Sequence, residues 1–230
     1  MALCRRYSLT SKRKFEKCVR HIIRLESSWI GMAEGAFFNP ETIDAVRKLN
    51  LPEYEAAKGK SKEAYYVLSA DVGRHGDLTE VTAIKVTPNP SGIDSAPLKC
   101  IVNIYSFENM HFGQQAIELK KLYYKYKARR LVIDGTGLGT GLIDFLVKPS
   151  LDEETGESYP GFGVFNDENK EYKRFETIDT EPEALYIIKA NASINSEMHA
   201  NVQTQLNTRK LRLLIDEKTA LQKLADTKVG

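Results

Sequence analysis

The sequence predicts a mixed α/β fold, a central sheet with helices against it, and three observations carry the prediction. Strand-like runs at 65–71, 80–87 and 99–107 follow one another over short connections, which favours an antiparallel meander. A helix–strand–helix–strand succession comes after them, the layout that covers a sheet with helices. Two of the strand-like runs, "YYVLSADVGRHGD" and "RRLVIDGTGLGTG", end in an aspartate just before a glycine-containing turn, at Asp71 and Asp134.

The elements read in order as follows. Residues 11–26 are compatible with a helix, with Phe15, Val19, Ile22 and Ile23 at helical spacing. In the following segment Asn39 suits an N-cap, Pro40 the first helical turn, and Thr42 to Lys48 its continuation. "EYEAAKGKSKEA" at 53–64 is polar and lysine-rich and reads as a linker. The glycines of "GRHGD" permit a tight reversal between the first two strands, and the proline-rich "PNPSGIDSAP" joins the second to the third. In "FGQQAIELKKLYYKYKA" the residues Phe112, Ala116, Leu119, Leu122, Tyr123 and Tyr126 form one stripe of an amphipathic helix. "RRLVID" is an unbroken apolar run of the buried parallel type. A helix over "TGLIDFLV" backs it, and "GFGVFN" is a short strand. "EALYIIKANASINSEMHANVQTQLN" offers helical segments, and "KLRLLI" a last strand-like run. With the first and fourth strands parallel neighbours, Asp71 and Asp134 share the crevice at their C-terminal ends, where open α/β sheets place their sites.

Composition narrows the class. The chain has 230 residues, 42% of them hydrophobic and 28% charged, enough to bury a core. No apolar stretch reaches the roughly 20 residues of a membrane span, so no membrane partner is expected. The basic start lacks the apolar stretch of a secretory signal. Cys4, Cys18 and Cys100 lie far apart without metal-ligand spacing and read as reduced cytosolic thiols, which argues against zinc. The net charge is +2, but residues 1–24 hold eight Lys/Arg against Glu16 alone. Residues 120–130 carry Lys120, Lys121, Lys125, Lys127, Arg129 and Arg130 with no acid. These six are candidate contacts for DNA phosphates; a solvated helix face accounts for them equally well.

Strands neighbour each other at about 4.8 Å, so two strand-end carboxylates come close enough to share a divalent cation, and hard ions such as magnesium or manganese take oxygen ligands. That is the constellation of a metal-dependent nuclease. Read singly, Asp71 and Asp134 serve as turn caps; read together, each ends a hydrophobic strand where a carboxylate needs a partner. Asp77 and His75, in the turn past Asp71, are secondary candidates, with ordinary turn roles as the alternative. "GTGLGTG" lacks both phosphate-loop and dinucleotide spacing, and "GKS" at 59–61 lacks the preceding glycine, so no nucleotide site is assigned. The glycines have a steric reading instead: they let another backbone approach the aspartate.

These residues resemble a known family. "VLSADVGRHGDLTEVTAIKV" followed by "LVIDGTGLGTGLIDFL" resembles the C-terminal nuclease domain of the large terminase subunit of tailed bacteriophages and prophages. "INSEMHANVQTQLNTRKLRLLIDEKTALQKL" is similar to that family's segment between its second and third metal-binding motifs. "SSWIGMAEGAFFNPETI" looks like the connection from the terminase motor into the nuclease. The resemblance runs from about Ser27 onward.

The resemblance implies a ribonuclease H-like fold: an antiparallel three-strand meander plus parallel strands, flanked by helices, with an N-terminal arm. It implies cutting of concatemeric double-stranded DNA during genome packaging, with two Mg2+ or Mn2+ ions activating water and stabilising the leaving oxygen. Asp71 matches the aspartate of the first motif and Asp134 the acidic residue of the second, as catalytic metal ligands. By the same resemblance the partners are DNA, the portal protein and the small terminase subunit, in the cytoplasm of a bacterial host. The family's third acidic residue lies on a later helix, and neither Asp216 nor Asp226 stands in a matching context. No Walker A loop is present. Residues 1–60 therefore read as an arm and linker from a missing ATPase motor, and 61–230 as a C-terminally truncated nuclease of weak or no activity. Two alternatives stand beside this: an inactive prophage fragment serving as a DNA-binding or portal/motor-docking module, and another ribonuclease H-like nuclease of the resolvase or transposase kind.

Overall fold

The computed structural model describes residues 38–57, 63–73, 77–88, 96–216 and 219–220. The expected helix at 11–26, Trp29, Cys4, Cys18, His75 and Asp226 lie outside them. The first described element is α1 (Pro40–Val46). Asn39 caps it as expected, its side chain accepting from the Glu41 amide at 2.8 Å, with Pro40 in the first turn. The helix stops at Val46 and does not run on to Lys48. Arg47–Leu49 is instead β1, held parallel to a strand near the end of the chain.

The stretch read as a linker begins as a strap. The Glu53 amide donates to the Val102 carbonyl at 3.0 Å and the Ala56 amide to the Lys125 carbonyl at 3.1 Å. The Glu53 carbonyl accepts from the Tyr126 hydroxyl and from Asn103 Nδ2. Its carboxylate takes the Tyr66 hydroxyl and, at 2.8 Å, Lys85 Nζ. Backbone groups so paired leave no free linker at 53–57, since each buried polar group has a fixed partner.

The meander then forms as predicted. β2 (Tyr65–Asp71), β3 (Thr79–Thr87) and β4 (Leu98–Phe107) pair antiparallel in sequence. α2 (Phe112–Tyr126) leads into β5 (Ala128–Asp134), which lies parallel to β2. α3 (Leu138–Leu146) follows, then a small hairpin of β6 (Ser150–Leu151) and β7 (Ser158–Tyr159), then β8 (Phe162–Val164).

Residues 183–188, in the stretch expected to offer helical segments, belong instead to β9 (Glu181–Ile188). It fills the slot between β5 and β8, parallel to both, where Ala184, Leu185 and Ile187 are buried. Tertiary burial there overrides the local helix preference of Glu, Ala and Leu. α4 (Ala192–Asn207) starts only after Asn191, whose side chain caps the Ile194 amide at 3.0 Å. β10 (Leu211–Leu214) completes an eight-stranded mixed sheet of order β1-β10-β4-β3-β2-β5-β9-β8. Five of these, β4-β3-β2-β5-β9, are the meander-plus-parallel arrangement of a ribonuclease H-like sheet.

Alternation fixes which way each side chain faces. Leu68, Ala70, Val81, Ala83, Leu131 and Ile133 point to one side, where they pack with Ala116, Leu119, Tyr123, Leu142 and Ile143 of α2 and α3. The residues between them, Ser69, Asp71, Glu80, Val132 and Asp134, face the other side. No helix of the described residues is long and apolar enough to cross a membrane.

Candidate metal centre

β2 and β5 run parallel, with Ala70 opposite Ile133. One residue further on, both strands end, in Asp71 and Asp134. The two carboxylates therefore stand at the same edge, on the same face, on neighbouring strands about 4.8 Å apart. The sequence expectation of a shared crevice corresponds to this register.

The two aspartates differ in their surroundings. Asp71 is exposed and makes no hydrogen bond or ion pair among the described residues. Asp134 is half-buried, and its Oδ1 accepts from the Thr136 amide at 2.9 Å and the Thr136 hydroxyl at 2.8 Å. That is the turn-capping role weighed against metal binding, and it engages one oxygen only, so Oδ2 remains outside the turn. The Gly135 amide continues the ladder to the Ile188 carbonyl at 2.7 Å. The steric reading of "GTGLGTG" holds at Gly139, where a Cβ would sit 1.6 Å from the Asp134 carbonyl oxygen.

β3 adds a residue that the sequence reading did not single out. Glu80 is the Cα partner of Asp71, so the two side chains leave the same face. Its Oε2 is buried with no hydrogen-bond partner. Only the hairpin register reveals this neighbour. Asp77 is exposed in the same turn, its backbone lying against Gly73.

Two adjacent carboxylates, Asp134 with one oxygen outside its turn and Asp71 with both, suit a single magnesium or manganese ion, which keeps several waters and takes one or two protein carboxylates. Among the described residues no group of three His, Cys, Asp or Glu side chains is placed to hold a metal. A two-ion site thus has no complete ligand set there. Asp216 does not supply one: its carboxylate takes the Thr219 amide at 2.9 Å and the Thr219 hydroxyl at 2.6 Å, hydrogen bonds that hold its pKa down.

The six basic candidates separate. Lys120 is fully buried, and its ammonium donates to the Lys148 carbonyl and, at 2.9 Å, to the Ser150 hydroxyl. It touches no solvent and is removed from the set of phosphate contacts. The reason is helical phase: Lys120 follows Ala116 by four residues and precedes Tyr123 by three, on the core stripe. Lys121 is bridged to Glu118 and to the buried Asp152. Arg130 lies over the Phe165 ring and bridges Glu183 at 2.8 Å. Lys125, Lys127 and Arg129 are exposed, Arg129 packing over Tyr65. Lys125 is in the last turn of α2, Lys127 caps it and Arg129 is the second residue of β5. All three lie toward the end of the strand away from Asp134, and the strand's six-residue span is about 20 Å.

No family model and no curated protein matches the sequence. Solved structures do. One is the large terminase nuclease of thermophilic phage G20c with bound magnesium, at 12% identity and TM-score 0.41, covering 78% of this chain and 76% of that one. Its counterpart with bound zinc gives 16% identity and TM-score 0.40, over 78% and 84%. The large terminase nuclease domain of Thermus phage P74-26 gives 13% and 0.35, over 74% and 70%.

Proposed function

We propose that this chain is a metal-dependent DNA endonuclease domain of the large terminase type, cutting concatemeric double-stranded DNA for packaging. The observation that carries the reading is the β2–β5 register, which aligns Asp71 with Asp134 on one sheet face. Their sequence surroundings are those that resemble the terminase nuclease. In this reading Asp71 and Asp134 hold a magnesium or manganese ion, Asp134 through the oxygen left free by Thr136. The ion, when bound, supplies Lewis-acid activation of water and charge stabilisation at the phosphate. The protein contributes the rest. Thr136 fixes the Asp134 carboxylate, Gly139 admits the α3 backbone behind it, and Asp71 is exposed to a phosphodiester. Portal protein and small terminase subunit are the partners this reading carries with it.

The test is cleavage of supercoiled plasmid with Mg2+ or Mn2+ by the wild-type chain, Asp71→Asn and Asp134→Asn. Cleavage lost in both variants supports the enzyme. A second reading, a DNA-binding or docking module without cleavage, is favoured by the absence of a three-ligand group among the described residues. DNA retained on the wild-type chain with no nicking at any metal concentration selects it.

A further inference from the structure

We infer that Thr79 and Gln115 are positioning residues that aim Asp71 for metal binding by clamping the backbone two residues beyond it. The inference rests on the metal site proposed above and adds the device that holds it. Both side chains are polar and buried, Thr79 at 0% and Gln115 at 1% exposure. The Gly73 amide donates to Thr79 Oγ1 at 2.9 Å. The single hydroxyl proton of Thr79 has two acceptors in reach, the Gly73 carbonyl at 3.1 Å and Gln115 Oε1 at 2.9 Å. Gln115 Nε2 donates to the Met110 carbonyl at 2.9 Å and to the Gly73 carbonyl at 3.3 Å. Both backbone polar groups of Gly73 are thereby held by side chains rooted in β3 and in the first turn of α2. Position 73 also requires glycine, since a Cβ there would lie 2.4 Å from the Leu78 carbonyl oxygen just ahead of β3.

Metal-binding carboxylates are ordinarily oriented by hydrogen bonds to their free oxygens. Asp134 has such a partner in Thr136; Asp71 has none. Among the described residues, its aim is set by its backbone. On one side that backbone is fixed by the β2 ladders, and on the other by the Gly73 clamp. The exchange and Mn2+ readouts below separate this role from simple closure of the β2–β3 turn.

The experiment uses the full chain with Thr79→Val, Thr79→Ser, Gln115→Glu and, as reference, Asp71→Asn. Gln115→Glu keeps size and Oε1 but loses the donors, so it serves if Thr79→Val fails to fold. Gly73 amide hydrogen exchange reads the clamp, and calorimetric Mn2+ titration reads the site. Thr79→Val is expected to speed Gly73 exchange and to weaken Mn2+ about 10-fold, the usual size of an orienting-partner loss. Thr79→Ser restores both. In plasmid cleavage Thr79→Val raises the Mn2+ concentration for half-maximal rate and leaves the rate at saturating Mn2+ unchanged. Faster Gly73 exchange with unaltered Mn2+ affinity, while Asp71→Asn abolishes binding, overturns this assignment alone. Mn2+ binding untouched by Asp71→Asn overturns the metal reading and this assignment together.

Discussion

Ala70 and Ile133 are Cα partners in the parallel pairing of β2 and β5, and this one register makes Asp71 and Asp134 neighbours. If the pair holds one ion, the two carboxylates act as a unit, and effects of residues acting as a unit do not add. Asp71→Asn, Asp134→Asn and the double variant are then expected to lose Mn2+ binding to the same extent. Without metal, Asp71→Asn relieves like-charge contact between adjacent strands and stabilises the fold by about 0.5 kcal/mol. Calorimetric titration and urea unfolding check the two parts. Binding losses that sum across the double variant mean separate sites.

Of the four glycines after Asp134, Gly139 and Gly137 make the sharpest contrast. A Cβ on Gly139 meets the Asp134 carbonyl oxygen at 1.6 Å, backbone against backbone. Gly139→Ala must displace the strand end, at the cost of about 3 kcal/mol or more, the upper range of overpacking. It carries Asp134 out of register with Asp71, so Mn2+ binding falls with it. Gly137 has φ +54° but nothing within 4 Å of a Cβ. Its ψ of −119° lies outside the left-handed helical region, so Gly137→Ala costs backbone strain of about 2–3 kcal/mol but no steric displacement of the strand end, and keeps the metal. Equal effects of the two substitutions on Mn2+ affinity count against this account of the turn.

Burial lowers the Lys120 pKa from its ordinary 10.5 to about 8. The folded value lies below the unfolded one, so between about pH 8 and 10.5 the unfolded chain holds the proton more firmly. Stability then rises with pH across that window. Below pH 8 the full cost of the buried ammonium is present, about 3 kcal/mol at 1.36 kcal/mol per unit. Between pH 7.5 and 9.5 the wild type is expected to gain about 2 kcal/mol relative to Lys120→Met. The variant also strips the donor from the Lys148 carbonyl and the Ser150 hydroxyl, which offsets its gain at neutral pH. The pH dependence is thus the diagnostic. Urea unfolding at the two pH values decides it, and parallel behaviour of the two proteins refutes it.

The same lysine shows what was legible in the sequence. Its charge run was visible, but the phase of the helix, read from Ala116 and Tyr123, decides that Lys120 is inside while Lys125 is outside. β2, β3 and β5 were legible because alternation or an unbroken apolar run marks a strand locally. β9 was not: "EALYIIK" runs into α4 without a glycine, and only Pro182 and the Ile187–Ile188 pair hinted at a strand. The slot between β5 and β8 decides its form. At the site, Asp71 and Asp134 were legible from their strand-end positions. Glu80, Thr79 and Gln115 were not, since their nearness to Asp71 or Gly73 follows from pairing register and from α2 docking, not from spacing in the chain.

Lys125, Lys127 and Arg129 remain the exposed members of the basic run, at the junction of α2 and β5, away from Asp134 along the strand. If they contact phosphates in the proposed nuclease, one duplex along β5 spans about 20 Å between them and the carboxylates. That is about six base pairs at 3.4 Å each. Each phosphate contact contributes about 0.9 to the slope of log affinity against log salt. The triple alanine variant is therefore expected to lower that slope by 2–3 on a duplex of about 20 base pairs. Its cleavage rate at saturating DNA stays unchanged, because no substituted group lies near Asp71 or Asp134. Fluorescence anisotropy between 50 and 200 mM salt measures the slope. A slope that does not move removes these three side chains from the DNA path and leaves the carboxylate pair to be tested by itself.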